Sequence, residues 1–221
     1  MCGKFTQMAT WPEVAAFSAP LSAQSPDTPL LTATPMRSAE VLSIGPDGAR
    51  QLARMRWGFG TSAEAPRRPA HLHARAETAD TRPAFADAFS RRRGLVIVQT
   101  FNEGETSPGG RTHQWVISAK DRRPIGLAVI WRSEASPADP GPAFVMLTVP
   151  PNPLIARITD RMPAVISQQD WPVWLGETGA SLSEIKGLLR PFAEDGAWEM
   201  SPQPPSQTSA ASANKRQLDL F

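Results

Sequence analysis

Three short apolar runs, residues 95–98, 127–131 and 144–149, constrain the fold most strongly: each is rich in β-branched or aromatic side chains and bounded by proline, glycine or polar residues. Runs of that length and composition predict core strands. Two helices are expected to close the globular part. Residues 167–175 and 181–189 each open on a serine with an acid three positions later, and Leu182, Ile185, Leu188 and Leu189 then recur at helical spacing. A further short helix is expected after Thr10-Trp11-Pro12-Glu13, which has the form of a capping box with proline in the tolerated first turn.

The chain of 221 residues is long enough for one domain with a sizeable core, or one domain and a tail. The tail reading is favoured by residues 201–215, which are mostly Pro, Ser, Gln and Ala with no large apolar side chain, so burial cannot offset the entropy of ordering them. The expected organisation is a domain over residues 1–198, a disordered linker over 199–216 and a terminal peptide over 217–221. Residues 63–70, rich in Pro and Arg, read as a loop. No run approaches the roughly 20 apolar residues needed to cross a bilayer, so a cytoplasmic protein without a membrane partner is expected.

A balance of 23 Lys+Arg against 21 Asp+Glu gives a formal charge of +2, so any nucleic-acid face must be local. No cofactor or metal is expected. His71 and His73 stand two apart with no cysteine pair or carboxylate cluster to complete a site, and no glycine-rich nucleotide loop is present.

The single cysteine is Cys2, which excludes an intramolecular disulfide. A cysteine there is ordinarily a small hydrophobe without a role. Loss of Met1 changes that, because residue 2 then carries a free α-amine of pKa near ~8 beside a thiol of pKa about 8.5. Such an aminothiol traps aldehydes: the amine forms a Schiff base and the thiol closes onto it as a thiazolidine.

Met1-Cys2-Gly3-Lys4-Phe5 resembles the opening Met-Cys-Gly-Arg-Phe of the SOS-response-associated peptidase (SRAP) family. The family's later landmarks follow in order: Arg56-Trp57-Gly58-Phe59, Ala74-Arg75-Ala76-Glu77-Thr78, Phe101-Asn102-Glu103, Asp160-Arg161-Met162-Pro163 and Leu188-Leu189-Arg190-Pro191. The resemblance spans residue 1 to about Trp198. It implies a compact α+β fold, with antiparallel strands forming an open barrel-like core, flanking helices and a DNA-binding cleft. It also implies a protein that senses abasic sites in single-stranded DNA and crosslinks covalently to the ring-opened sugar through residue 2, after removal of Met1. The family's glutamate matches Glu103, which the resemblance makes the proton shuttle of imine formation.

Two departures bear on that chemistry. His73 stands where the family has Asn, and Thr159 where it has the His implied to assist ring opening and crosslink reversal. The family's Gly-Phe-Tyr-Glu-Trp block reads Thr100-Phe101-Asn102-Glu103-Gly104, and the chain has no Tyr at all. Either His73 supplies the missing imidazole from the opposite wall, since neutral His serves as acid or base near physiological pH, or the chain is a catalytically degenerate paralogue acting as a clamp-tethered single-stranded DNA-binding module. A peptidase with other targets rests only on the family's name.

Arg75 and Arg161, with Lys4 and Arg56, are candidates for a phosphate-binding lip round Cys2. Trp57 is either a wedge or stacking platform for bases, or part of the core. The runs Arg67-Arg68 and Arg91-Arg92-Arg93 read as solvated faces. Finally, Gln217-Leu218-Asp219-Leu220-Phe221 resembles the peptide by which bacterial polymerases and repair proteins dock into the replicative sliding clamp. Leu220 and Phe221 would fill an apolar pocket, Leu218 a shallower groove, and Gln217 would hydrogen-bond the rim, so the clamp is the expected protein partner.

Overall fold

The computed structural model describes residues 4–7, 32–60, 69–133, 141–193 and 196–203. The expected helix after Thr10, the Arg67-Arg68 pair, Cys2 and the peptide 217–221 lie outside these residues.

The described chain begins with β1 (Lys4–Gln7), β2 (Thr32–Ala33), β3 (Ser38–Ile44), β4 (Arg50–Trp57) and β5 (His73–Arg75). Helix α1 (Ala86–Arg91) leads into the long β6 (Arg93–Thr106), followed by β7 (Thr112–Ala119), β8 (Ile125–Arg132) and β9 (Ala143–Val149). Then come β10 (Met162–Pro163), β11 (Val165–Ile166), α2 (Trp171–Leu175), α3 (Leu182–Gly187) and β12 (Trp198–Pro202). The twelve described strands form one sheet whose main path runs β11-β8-β9-β4-β3-β6-β1-β2. The sheet curls because β6 pairs β8 through residues 93–98 as well as β3 at Leu95 and Gly94. The result is the expected α+β fold around an open barrel-like core. Its sheet is mixed, because β4 and β5 both run parallel to β9 over two and three residues.

The three apolar runs lie inside β6, β8 and β9, and every residue of β9 is buried. Burial of each large apolar side chain stabilises the fold by about 1.5–3 kcal/mol. Indole N–H groups brought into that core find carbonyls: Trp171 Nε1 donates to Ile166 O at 3.1 Å and Trp174 Nε1 to Gly94 O at 2.8 Å. A side chain at Gly126 would bring a Cβ within 2.8 Å of the Trp171 ring nitrogen, so the indole packs flush on β8 only because residue 126 is glycine. Gly58 is required twice over, by a φ of +122° and by Pro69, whose Cβ would stand 2.5 Å from a Cβ at 58.

The helices are shorter than the sequence predicts. Ser181 and Glu184 make the reciprocal capping box that starts α3. In the segment 167–175 the Ser167 hydroxyl bonds the Asp170 carboxylate instead of a backbone N–H, a single 3-10 turn follows, and α2 begins only at Trp171. The domain boundary also moves. Residues 199–202, expected to be part of the disordered linker, pair with β7 in β12, so the folded part extends through Gln203, whose N–H donates to Gln114 O at 2.8 Å. No described helix is long and apolar enough to cross a membrane.

Candidate functional site

The N-terminal strand is held against the second half of β6, with Lys4 opposite Asn102, Phe5 opposite Phe101 and Thr6 opposite Thr100. The next residue of β6 is Glu103, paired on its other side with Trp115 of β7 and 0 % exposed. Strand alternation puts Glu103 on the same face as Phe101, the face that Phe5 also occupies across the ladder. Asn102 and Lys4 take the other face. Three successive buried residues, 101–103, mean that both faces of β6 are covered here.

On the core face, the Phe5 ring lies 5.1 Å from the Trp57 indole, and the His73 imidazole meets the same indole edge-on at 5.8 Å. Trp57 also stacks on Phe144 at 6.1 Å, donates Nε1–H to Leu72 O at 3.0 Å and is 0 % exposed. Stacking on a base requires an open ring face, so Trp57 is a core residue; of its two sequence readings the packing one applies. Its place among Phe5, Phe144 and His73 makes it the spacer that joins β1 to β5.

His73 lies opposite Met146 of β9, and Arg75 opposite Thr148. The opposite edge of β9 carries β10, with Pro163 also opposite Thr148. His73 and the segment that leads from Thr159 into β10 therefore lie on opposite edges of β9. Thr159 closes the 3-10 turn at residues 155–157, its N–H donating to Ile155 O at 3.1 Å.

The candidate cations have different environments. Arg75 is exposed, and Lys4 and Arg56 are half-buried. The Arg161 side chain is 11 % exposed, and its guanidinium grips both oxygens of Glu77, at 2.5 and 2.8 Å, and Thr148 O at 2.6 Å. Arg161 thereby ties the Asp160-Arg161-Met162-Pro163 segment to the Ala74-Arg75-Ala76-Glu77-Thr78 segment over β9. A phosphate would reach it only by displacing Glu77, whose carboxyl is held below the usual range chiefly by the hydrogen bonds from Arg161. Glu77 stood in a quoted motif, but nothing in its spacing identifies a partner 84 positions away.

Other predicted groups serve structure. Arg91 and Arg92 pair with Asp87, while Arg93 donates to the carbonyls of Trp174, Phe89 and Ser90. His71 packs edge-on against Phe85 at 5.0 Å, and burial, then the Arg132 and Arg82 charges, lowers its pKa. Among the described residues no group of three or more His, Cys, Asp or Glu is placed to hold a metal. A cavity of about 680 Å³ between α2, β11 and β12 is lined by Trp171, Phe192 and Trp198 and contains none of the candidate residues.

The sequence reading missed the far end of β12. Asn102, 3 % exposed, donates its side-chain amide to Gln203 Oε1 at 3.0 Å. The alternation of Trp198, Glu199 and Met200 is the period-two signal that could have located this strand.

A family model described as SOS response associated peptidase (SRAP) matches residues 1–204. The chain belongs to the SRAP family. Two SRAP relatives from Bacillus subtilis (strain 168) are the abasic site processing proteins YoqW and YoaM, each 24 % identical over 162 residues, 72 % of this chain and 72 % or 71 % of theirs. The SRAP fold also matches crystal structures of proteins from Bordetella bronchiseptica and Bacteroides thetaiotaomicron. The first gives a TM-score of 0.75 at 18 % identity over 92 % of this chain and 100 % of the other. The second gives 0.73 at 20 % identity over 94 % of each chain.

Proposed function

We propose that the chain is an abasic-site processing protein that traps the ring-opened sugar aldehyde in single-stranded DNA with the aminothiol of Cys2, exposed by loss of Met1. The observation that carries this reading is the register of β1 on β6. Lys4 lies opposite Asn102, the neighbour of Glu103, and Cys2 precedes Lys4 by two residues, a span of at most about 7 Å.

The chemistry balances as a condensation. The α-amine adds to the aldehyde carbon to give a carbinolamine, whose hydroxyl leaves as water once protonated. The Cys2 sulfur then attacks the imine carbon, and the thiol proton ends on nitrogen, closing the thiazolidine. Glu103 is suited to carry protons between amine, departing water and thiol, because its own carboxylate is buried away from bulk water. His73 is a second acid or base on the far side of Trp57. Arg75, with Lys4 and Arg56, would receive phosphates, and residues 217–221 would dock the protein on the replicative sliding clamp.

The competing reading, a degenerate single-strand binder, draws on Thr159 at the position where the family resemblance places a His. Incubation with single-stranded DNA carrying one abasic site, beside a Cys2→Ala control, distinguishes the two. A Cys2-dependent, heat-stable adduct in a denaturing gel, with intact mass equal to protein lacking Met1 plus DNA minus water, is expected. No adduct from protein confirmed to lack Met1 favours the degenerate binder.

A further inference from the structure

Two arginines and a histidine converge beside α1, away from the groups assigned to the crosslinking chemistry. Phe59 and His71 face each other in an antiparallel bridge, two residues along each segment from the edge-on contact of Trp57 with His73. The buried rings of Phe59 and Phe85 pack at 6.3 Å and form a floor. The Arg132 guanidinium lies over Phe59, 3.9 Å from the ring centroid, and the His71 imidazole stands edge-on to Phe85 at 5.0 Å. Arg82 sits in the turn that leads into α1, its N–H bonded to Thr78 O and its carbonyl accepting from the N–H groups of Phe85 and Ala86. Burial lowers the His71 pKa, and the charges of Arg132 and Arg82 lower it further. Both guanidinium fields therefore reach the same imidazole.

Among the described residues no acid pairs with Arg132 or Arg82. The Phe59 ring holds a guanidinium but supplies no counter-charge. Arg132 is half-buried, and its side chain has a single long hydrogen bond among the described residues, Nη2 to Ala84 O at 3.5 Å. Asp87 lines the same recess of about 190 Å³ with Pro83, Ala84, Ala88, Arg92 and Arg132, but its carboxylate is taken by Arg91 and Arg92. Arg161, by contrast, is neutralised by Glu77. A partly buried cation with an open hydrogen-bonding fork is completed by an anion with several acceptor oxygens.

We propose that Arg132 and Arg82, with His71 beside them, hold one backbone phosphate of single-stranded DNA, as a subsite flanking the reacting sugar. This rests on the single-stranded DNA reading and adds to it a phosphate position that no sequence motif marks. Continuity favours a DNA strand over a free anion. His71, His73 and Arg75 are alternate residues of one segment, and two residues span at most about 7 Å, so a strand passing Arg75 and His73 meets this subsite next.

Fluorescence anisotropy across a salt series compares the parent with Arg132→Gln, Arg82→Gln and the double variant. The probe is an undamaged single-stranded oligonucleotide, so the readout is independent of crosslinking. Arg111→Gln, at an exposed position in the turn between β6 and β7, removes the same charge elsewhere. Each subsite variant should weaken binding about tenfold. The double variant should flatten log K against log salt by about 0.7, one phosphate, instead of twice that; Arg111→Gln should do neither. Losses from the subsite variants no greater than from Arg111→Gln overturn the subsite, and a double variant that loses twice the slope overturns the single shared phosphate. Failure of the parent to bind single-stranded DNA overturns the DNA reading and the proposal with it.

Arg132 covers Phe59, so if circular dichroism shows Arg132→Gln misfolded, the exposed Arg82→Gln and a second readout decide. The carbon-bound ring protons of His71, one of three histidines, should shift in the NMR spectrum when DNA saturates the parent, and shift less in Arg82→Gln at the same DNA concentration. His71 signals that stay in place in the parent, or move equally in both proteins, overturn the subsite.

Discussion

Arg161 and Glu77 face each other fork to fork, two N–H groups on two carboxylate oxygens at 2.5 and 2.8 Å, and the same guanidinium reaches Thr148 O. The arrangement locks β10 against the segment following β5 and occupies the cation that the sequence assigned to phosphate.

Glu77→Ala should release Arg161. We expect tighter binding of single-stranded DNA and a salt dependence steeper by about 0.7 in log K against log salt, the increment of one added phosphate contact. Stability should fall by no more than about 1 kcal/mol, because the Glu77 side chain is half open to water. Fluorescence anisotropy across a salt series reads the outcome; an unchanged slope would leave Arg161 with a purely structural role.

The same pair sets an acid sensitivity. The Glu77 carboxyl titrates below its ordinary value in the fold, chiefly because Arg161 donates to it. A depressed folded pKa means stability that is complete above the unfolded value, about 4.3, and lost as pH falls through the folded one. Thermal melts between about pH 6 and pH 2 should show the parent losing Tm faster than Glu77→Gln, which has nothing to titrate. Parallel curves would show that the pair does not persist in solution.

Trp57→Ala should cost about 3–5 kcal/mol, the range for an aromatic side chain deleted from a core. Trp57→Phe keeps an aromatic contact with Phe5 and His73 and loses the bond to Leu72 O, so it should cost on the order of 1 kcal/mol. DNA affinity should follow the folded fraction in both, read by circular dichroism beside anisotropy. A fully folded Trp57→Phe that had lost DNA binding would restore the stacking role.

His73→Asn restores the residue type that the family resemblance places before Ala74. If the imidazole replaces the one absent at position 159, crosslinking and its reversal should slow about 10²–10⁴-fold, the usual contribution of a positioned acid or base. The pH dependence between about 5 and 8 should flatten as well. Unchanged rates sink compensation.

The central strands were legible because their burial is written locally: residues 95–98, 127–131 and 144–149 are apolar enough to declare a core without knowledge of their neighbours. The capping box at Ser181 and Glu184 was legible for the same reason, since its partners stand three residues apart. Relationships across the chain were not. Glu77 with Arg161, and Asn102 with Gln203, join polar residues 84 and 101 positions apart, and no periodicity encodes such a meeting. Trp57 was ambiguous because an aromatic beside an arginine suits a core and a DNA groove equally; only its burial decides. Residues 201–202 misled by composition, since a Ser-Pro pair scores as linker although β7 offers it an edge.

β1 and the stretch of β6 that receives it are separated by 98 positions, Lys4 to Asn102. Pairing with the two-residue β2 is too little to fix β1 alone. At a synthesis rate of about 5–20 residues per second, β1 waits roughly 5–20 s for its partner stretch of β6 to be made. On the proposed function, loss of Met1 can therefore precede the pairing of β1 with β6 instead of competing with it.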